Sequence, residues 1–155
     1  MRSILSSILG GLILGCTIQM NHNTISVDYR LRAYYDQFVA IANKCDVPVN
    51  ESELRVEMSY DLRQKPYYAI TYPFLNTVVV NVYKYRRLPK MYQEQVIFHE
   101  LGHGLLSLHH DDTDLNIMNT FNFIPEQDFV VRYDYYIRKL FKDCKYKGVF
   151  VYGRN

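Results

Sequence analysis

From Asp28 to Cys45, apolar residues recur as Leu31, Tyr35, Phe38, Val39 and Ala42, the spacing of one helix face, and Asp46-Val47-Pro48 closes the segment. From Glu53 the period changes to two. Leu54, Val56 and Met58 alternate with Arg55, Glu57 and Ser59, as in a half-buried strand. Tyr67 to Tyr72 reads as a second strand stopped by Pro73, and Thr77 to Tyr83 as the strongest β run in the chain. A proline directly after a strand suits a sheet edge, where one side of the ladder has no partner to supply. A helical period returns after Pro89 and holds from Lys90 to Leu106, with Val96, Ile97, Leu101 and Leu105 facing inward. Pro125 opens a final helix whose stripe is Phe129, Val130, Tyr133, Tyr136, Ile137, Leu140 and Phe141. Acidic residues early in it and Arg138, Lys139 and Lys142 late complement the helix dipole. Val149-Phe150-Val151 fits one more short strand. This order of elements predicts an α+β domain with one small sheet and three helices.

Composition narrows the function classes. A chain of 155 residues suits one domain with its own core. Eighteen basic residues against 16 acidic ones give +2, too even for an electrostatic nucleic-acid binder. The start of the chain follows a different pattern. Arg2 precedes an apolar run, Ile4 to Leu14, too short to span a bilayer but suited to the hydrophobic region of a secretory signal. It ends in Ile13-Leu14-Gly15-Cys16, which resembles the bacterial lipobox. That resemblance implies lipid on Cys16 and a bacterial cell-envelope location. In a diderm host it favours the outer membrane over the inner, because Thr17 rather than aspartate follows the cysteine. The alternative is an ordinary cleaved signal with an incidental cysteine. The chain thus divides into a signal at 1–15, a polar tether at 16–27 and a domain at 28–155. Cys45 and Cys144, each ending a predicted helix, either pair in an oxidising compartment or stay free thiols.

The chemistry lies in His99-Glu100-Leu101-Gly102-His103. On a helix, positions 99 and 103 are one turn apart on the same face, so two imidazoles can bind one metal ion from a rigid element. Glu100 is placed to take a proton from a metal-bound water, which is the HExxH zinc-protease pattern. His109 follows His103 by six residues and is a candidate third ligand, and Met118 follows in Asn116-Ile117-Met118-Asn119. His110, Asp111, Asp112 and Asp114 form a polar turn between them. These carboxylates read as a solvated loop, because they lack the ligand spacing of a calcium site.

The spacing from His99 to Met118 resembles the metzincin metallopeptidases, and within them the matrixin-like branch, in which HExxHxxGxxH is followed by a Met-turn. One position departs from that motif: the family's glycine is Leu106 here. The resemblance implies a zinc-dependent endopeptidase domain with His99, His103 and His109 on Zn2+, Glu100 as catalytic base and Met118 beneath the ligands. It also implies a metzincin-like α+β fold, a small twisted mixed sheet with a backing helix, an active-site helix and a C-terminal helix. In that fold the strand Tyr67–Tyr72 is the edge above the cleft and pairs with an extended peptide or protein substrate. Expected partners are that substrate and, through the lipid anchor, a membrane; the chain is expected to be a monomer that binds no nucleic acid. Phe121 and Phe123 either line the pocket beyond the scissile bond or belong to the core. Two alternatives stay open for the site: a gluzincin arrangement with Glu126 as third ligand, and a non-catalytic surface-anchored binding module with a vestigial zinc site. Because of Leu106, His110 also remains a candidate for the third position.

Overall fold

The structure, a computed structural model, describes residues 25–120 and 122–142. The expected signal with Cys16, most of the expected tether, Phe121, Cys144 and the Val149–Val151 run lie outside the described residues. The architecture is mixed α+β, with four strands in one sheet and helices on both sides of them in sequence. In chain order, β1 is Ser26–Val27, α1 Arg32–Lys44, β2 Arg55–Ser59, β3 Ala69–Tyr72, β4 Thr77–Asn81, α2 Val82–Tyr85, α3 Lys90–Leu106, α4 Glu126–Val131 and α5 Tyr133–Leu140. The sheet runs β1-β2-β4-β3, with β1, β2 and β4 parallel and β3 antiparallel against β4.

Differences from the sequence-based expectation have local causes. Residues 26 and 27 were expected in the tether but form an edge strand, pairing with Arg55 and Val56; two residues carry no period to read. The strand expected through Tyr83 stops at Asn81. The Asn81 side chain accepts from the Tyr83 and Lys84 N–H groups and so starts α2. The same side chain, fully buried, donates to the carbonyls of Leu62 and Tyr67 and fixes the segment that leads into β3. The single C-terminal helix divides at Arg132, whose φ of −114° and ψ of 26° leave the helical region.

The third helix packs against α1 and against β3 and β4 of the sheet. Val56, Val78, Val80 and Ala69 of the sheet belong to one buried cluster with Val96, Ile97, Leu101 and Leu105 of α3. Phe38 of α1 meets Phe98 of α3 edge-on at 5.3 Å and Phe141 at 4.9 Å. Three consecutive polar residues of α3 are also buried, and each ties the helix to a different neighbour. Gln93 donates to the carbonyls of Tyr85 and Leu88. Glu94 accepts from Tyr133 of α5 and Gln37 of α1. Gln95 both donates to and accepts from the backbone of Ile124. With their partners supplied, these groups fix the helix in place without the cost of an unsatisfied buried polar atom. Cys45, just past α1, is disulfide-bonded, so for this residue the free-thiol alternative falls away.

Candidate metal centre

His99 and His103 project from the same face of α3, as their spacing requires. The chain then turns at Ser107, which adopts the left-handed conformation (φ 53°, ψ 33°). The N–H groups of Ser107 and Leu108 both donate to the Gly102 carbonyl, closing the helix end. Leu106 therefore stays within the right-handed helix and carries no strain. The turn falls one residue later than the glycine of the motif, and the third histidine moves by the same amount. His110 joins the pair: its Nε2 lies 3.0 Å from that of His103 and 3.2 Å from that of His99, which are themselves 3.2 Å apart. These three residues form a group able to hold a metal ion. This corrects the assignment of His109, which is exposed and outside the group. Glu126, the alternative ligand, is also exposed and outside it, in the first turn of α4.

Hydrogen bonding fixes the tautomers of two of these rings. The Nδ1 of His99 lies 2.7 Å from the Ile117 carbonyl, and that of His103 2.6 Å from the Leu108 carbonyl. A carbonyl only accepts, so both Nδ1 atoms carry the hydrogen and both Nε2 atoms present bare lone pairs. Burial keeps the rings neutral: it pushes the pKa of His99 down to about 4 and lowers that of His103, against the opposing effect of those carbonyls. Two lone pairs facing each other at 3.2 Å repel. A shared cation relieves that repulsion, which is the physical fit between this donor set and a metal.

The segment after His110 is a closed turn built around Asn116. Its buried side chain donates to the carbonyls of Asp111 and Asp114 and accepts from the Met118 N–H. The Asp111 N–H returns to the Met118 carbonyl at 3.0 Å. Asp111, Asp112 and Asp114 each accept from loop donors or from Lys139. The turn brings the Ile117 carbonyl to His99 and seats Met118, 5% exposed, beneath the histidine helix. A Cβ added at Gly102 would lie 2.7 Å from the Met118 sulfur, so glycine is what permits this approach. Neither Asn116 nor Gly102 had an assigned role in the sequence reading; the close Met118 contact explains the second.

Glu100 borders the same cleft, and at 8% exposed it is buried. Burial raises its pKa to about 7, partly offset by the hydroxyl of Thr71 on β3, whose Oγ1 lies 2.6 Å from the carboxylate Oε2. The same hydroxyl lies 3.0 Å from the Glu100 backbone carbonyl. The cleft, of about 430 Å³, runs between β3 and α3 and includes Tyr68, Thr71, His99, Glu100, His110 and Phe123 in its lining. Phe123 packs on Tyr68 and Tyr92, with ring centroids 5.4 and 4.9 Å apart, and forms one wall. Among the described strands, β3 pairs only with β4, so its other edge faces the cleft unpaired. The edge position of this strand was an expectation of the sequence; the contact of Thr71 with Glu100 was not. Comparison with protein-family models, with curated proteins and with solved structures gave no match.

Proposed function

We propose that this chain is a zinc-dependent endopeptidase with a metzincin-like site, lipid-anchored through Cys16 at a bacterial cell envelope. The observation that carries the reading is the convergence of three imidazole Nε2 atoms beside a buried carboxylate, in a cleft bounded by an unpaired strand edge. Tetrahedral zinc with bonds of roughly 2.0–2.1 Å needs ligand nitrogens roughly 3.3 Å apart, and the three separations here are 3.0–3.2 Å. Three imidazole ligands leave a further position open, which distinguishes a catalytic set from a closed structural one. A purely structural site gives no reason for a buried carboxylate at position 100.

When bound, zinc supplies Lewis acidity and lowers the pKa of a coordinated water from about 15.7 to about 7. Glu100 accepts the proton released as water adds to the peptide carbonyl and returns it to the departing amine. The free edge of β3 holds an extended peptide by main-chain hydrogen bonds, and the wall formed by Tyr68 and Phe123 takes an apolar side chain.

The test is hydrolysis of a quenched peptide library by the zinc-loaded chain. Chelation is expected to bring cleavage to background, and added zinc to restore it. Cleavage indifferent to chelation, or no cleavage by protein carrying one zinc per chain, refutes the proposal.

Thr71 is expected to act by orienting Glu100. The valine variant keeps the strand shape but loses a hydrogen bond to a charged acceptor, a loss of about 1.5 kcal/mol, or roughly tenfold in kcat. KM should stay nearly constant and Thr71→Ser should restore the rate. A change confined to KM would assign Thr71 to substrate binding instead.

A further inference from the structure

The turn joining β3 to β4 presents apolar side chains that neither the fold nor the cleft uses. Phe74 is 103% exposed, Leu75 69% and Tyr72 39%, with exposed Pro73 between them. Neither Phe74 nor Leu75 borders the cleft. Single exposed apolar residues are ordinary, but four consecutive exposed ones at a turn, where polar residues would serve, are not. The turn is also well fixed. Residues Pro73–Leu75 form a 3-10 turn closed by Asn76 in the left-handed conformation. The Asn76 side chain donates to the Ser52 carbonyl, its own carbonyl accepts from the Arg55 N–H, and the Thr77 hydroxyl donates to the Leu75 carbonyl. Phe74 and Leu75 are therefore held outward.

The sheet register says which way this turn points. Ser26 pairs with Arg55 and Arg55 with Thr77, in parallel, so β1, β2 and β4 all begin at one end of the sheet. The turn immediately precedes Thr77, and the chain from Cys16 joins the fold immediately before Ser26. Two strand spacings, roughly 10 Å, separate these points. The ten residues from Cys16 to Ser26 reach at most roughly 35 Å. An anchor on Cys16 thus attaches to the sheet end that carries the apolar turn.

We propose that the Phe74–Leu75 turn is a membrane-contact element, inserting into the lipid interface and setting the orientation of the cleft relative to the bilayer. The proposal rests on the lipid-anchor part of the reading above. The segment beside the turn carries Glu51, Glu53 and Arg55, with no cationic excess, so the attraction is apolar and should be insensitive to salt and to anionic lipid.

The chain contains no tryptophan, so Phe74→Trp introduces a single reporter. Tyr60→Trp, just past the opposite end of β2 and 53% exposed at present, serves as control. Both full-length chains are expressed with their own leader, isolated and reconstituted in phosphatidylcholine vesicles, then floated on a density gradient. The expected result is flotation of both, with the indole at position 74 losing most of its fluorescence to acyl-brominated lipid and resisting aqueous iodide. The indole at position 60 should behave in the opposite way. Flotation with the position-74 indole open to iodide overturns the membrane contact while leaving the anchor standing. Protection of that indole only on adding peptide overturns it in favour of a substrate-docking role. Failure of both chains to float refutes the anchor and this inference with it, and leaves the peptidase reading to its own test.

Discussion

Replacing His110 with alanine is expected to lower metal affinity by more than the roughly 100-fold typical of losing a residue that only orients a ligand, and to abolish peptide hydrolysis. His109→Ala should leave both nearly unchanged. The contrast is sharp because the two histidines are adjacent, equally polar and both exposed, so composition and general stability cannot separate them. What separates them is the conformation of one residue. With Ser107 left-handed, the chain leaves the helix one position after Leu106 and the side chain that returns to His99 and His103 is His110. A left-handed serine costs on the order of 1 kcal/mol, small beside the roughly 10 kcal/mol or more of a structural zinc site. Competition with a chromophoric chelator gives the affinity of each variant, and the metal content of purified protein checks it. A large loss for His109→Ala with none for His110→Ala would mean that the metal-bound chain ends its helix at Leu106 after all. Equal losses would mean that the loop, and not a ligand, had been damaged.

This contrast also marks where the sequence stops being legible. Helix α3 was readable from end to end, because seventeen residues of sustained period and a proline before them leave little freedom. The shared face of His99 and His103 follows from helix geometry alone. The third histidine is different, because its identity depends on where the helix ends, and helix ends are decided by a single backbone torsion. Glycine at that torsion would have announced itself; serine does not. A polar residue three positions before His110, matching the interval from turn to ligand in the motif, was the available signal.

The remaining misses share a cause. Period-based reading finds elements long enough to repeat, and β1 has two residues. It treats Asn81 as part of a β run, although the side chain hydrogen bonds to two N–H groups ahead of it and turns the strand into a helix. It assigns no place to Gln93, Glu94 and Gln95, which are buried. Glu94 and Gln95 are buried against partners on α1, on α5 and at Ile124, which are distant in sequence, while Gln93 bonds back to the carbonyls of Tyr85 and Leu88. Thr71 is invisible for the same reason: its contact with Glu100 joins positions 29 residues apart. Motifs locate the reactive side chain, while the residue that holds it comes from the sheet edge.

Glu100→Gln is the second decisive variant, and it separates catalysis from architecture. The variant should bind zinc as the parent does, since no ligand is touched, while hydrolysis falls by roughly 10²–10⁴-fold with loss of the general base. Stability of the metal-free protein adds an independent signature. In the fold, burial keeps Glu100 protonated up to a pKa of about 7; its ordinary value is 4.5. Between these pH values the folded state binds more protons than the unfolded one, so stability falls as pH rises through the window. At pH 4 both states hold the proton and glutamine and glutamic acid should be nearly equivalent. At pH 8 the parent buries a charge that glutamine does not, and the variant should be more stable by up to about 3 kcal/mol. Loading with zinc favours the carboxylate and should shrink this advantage. Urea melts at the two pH values, with and without metal, measure all four quantities. A variant equal to the parent at pH 8, or one that still cleaves peptide at the parent rate, would remove Glu100 from the role of a buried, proton-carrying base.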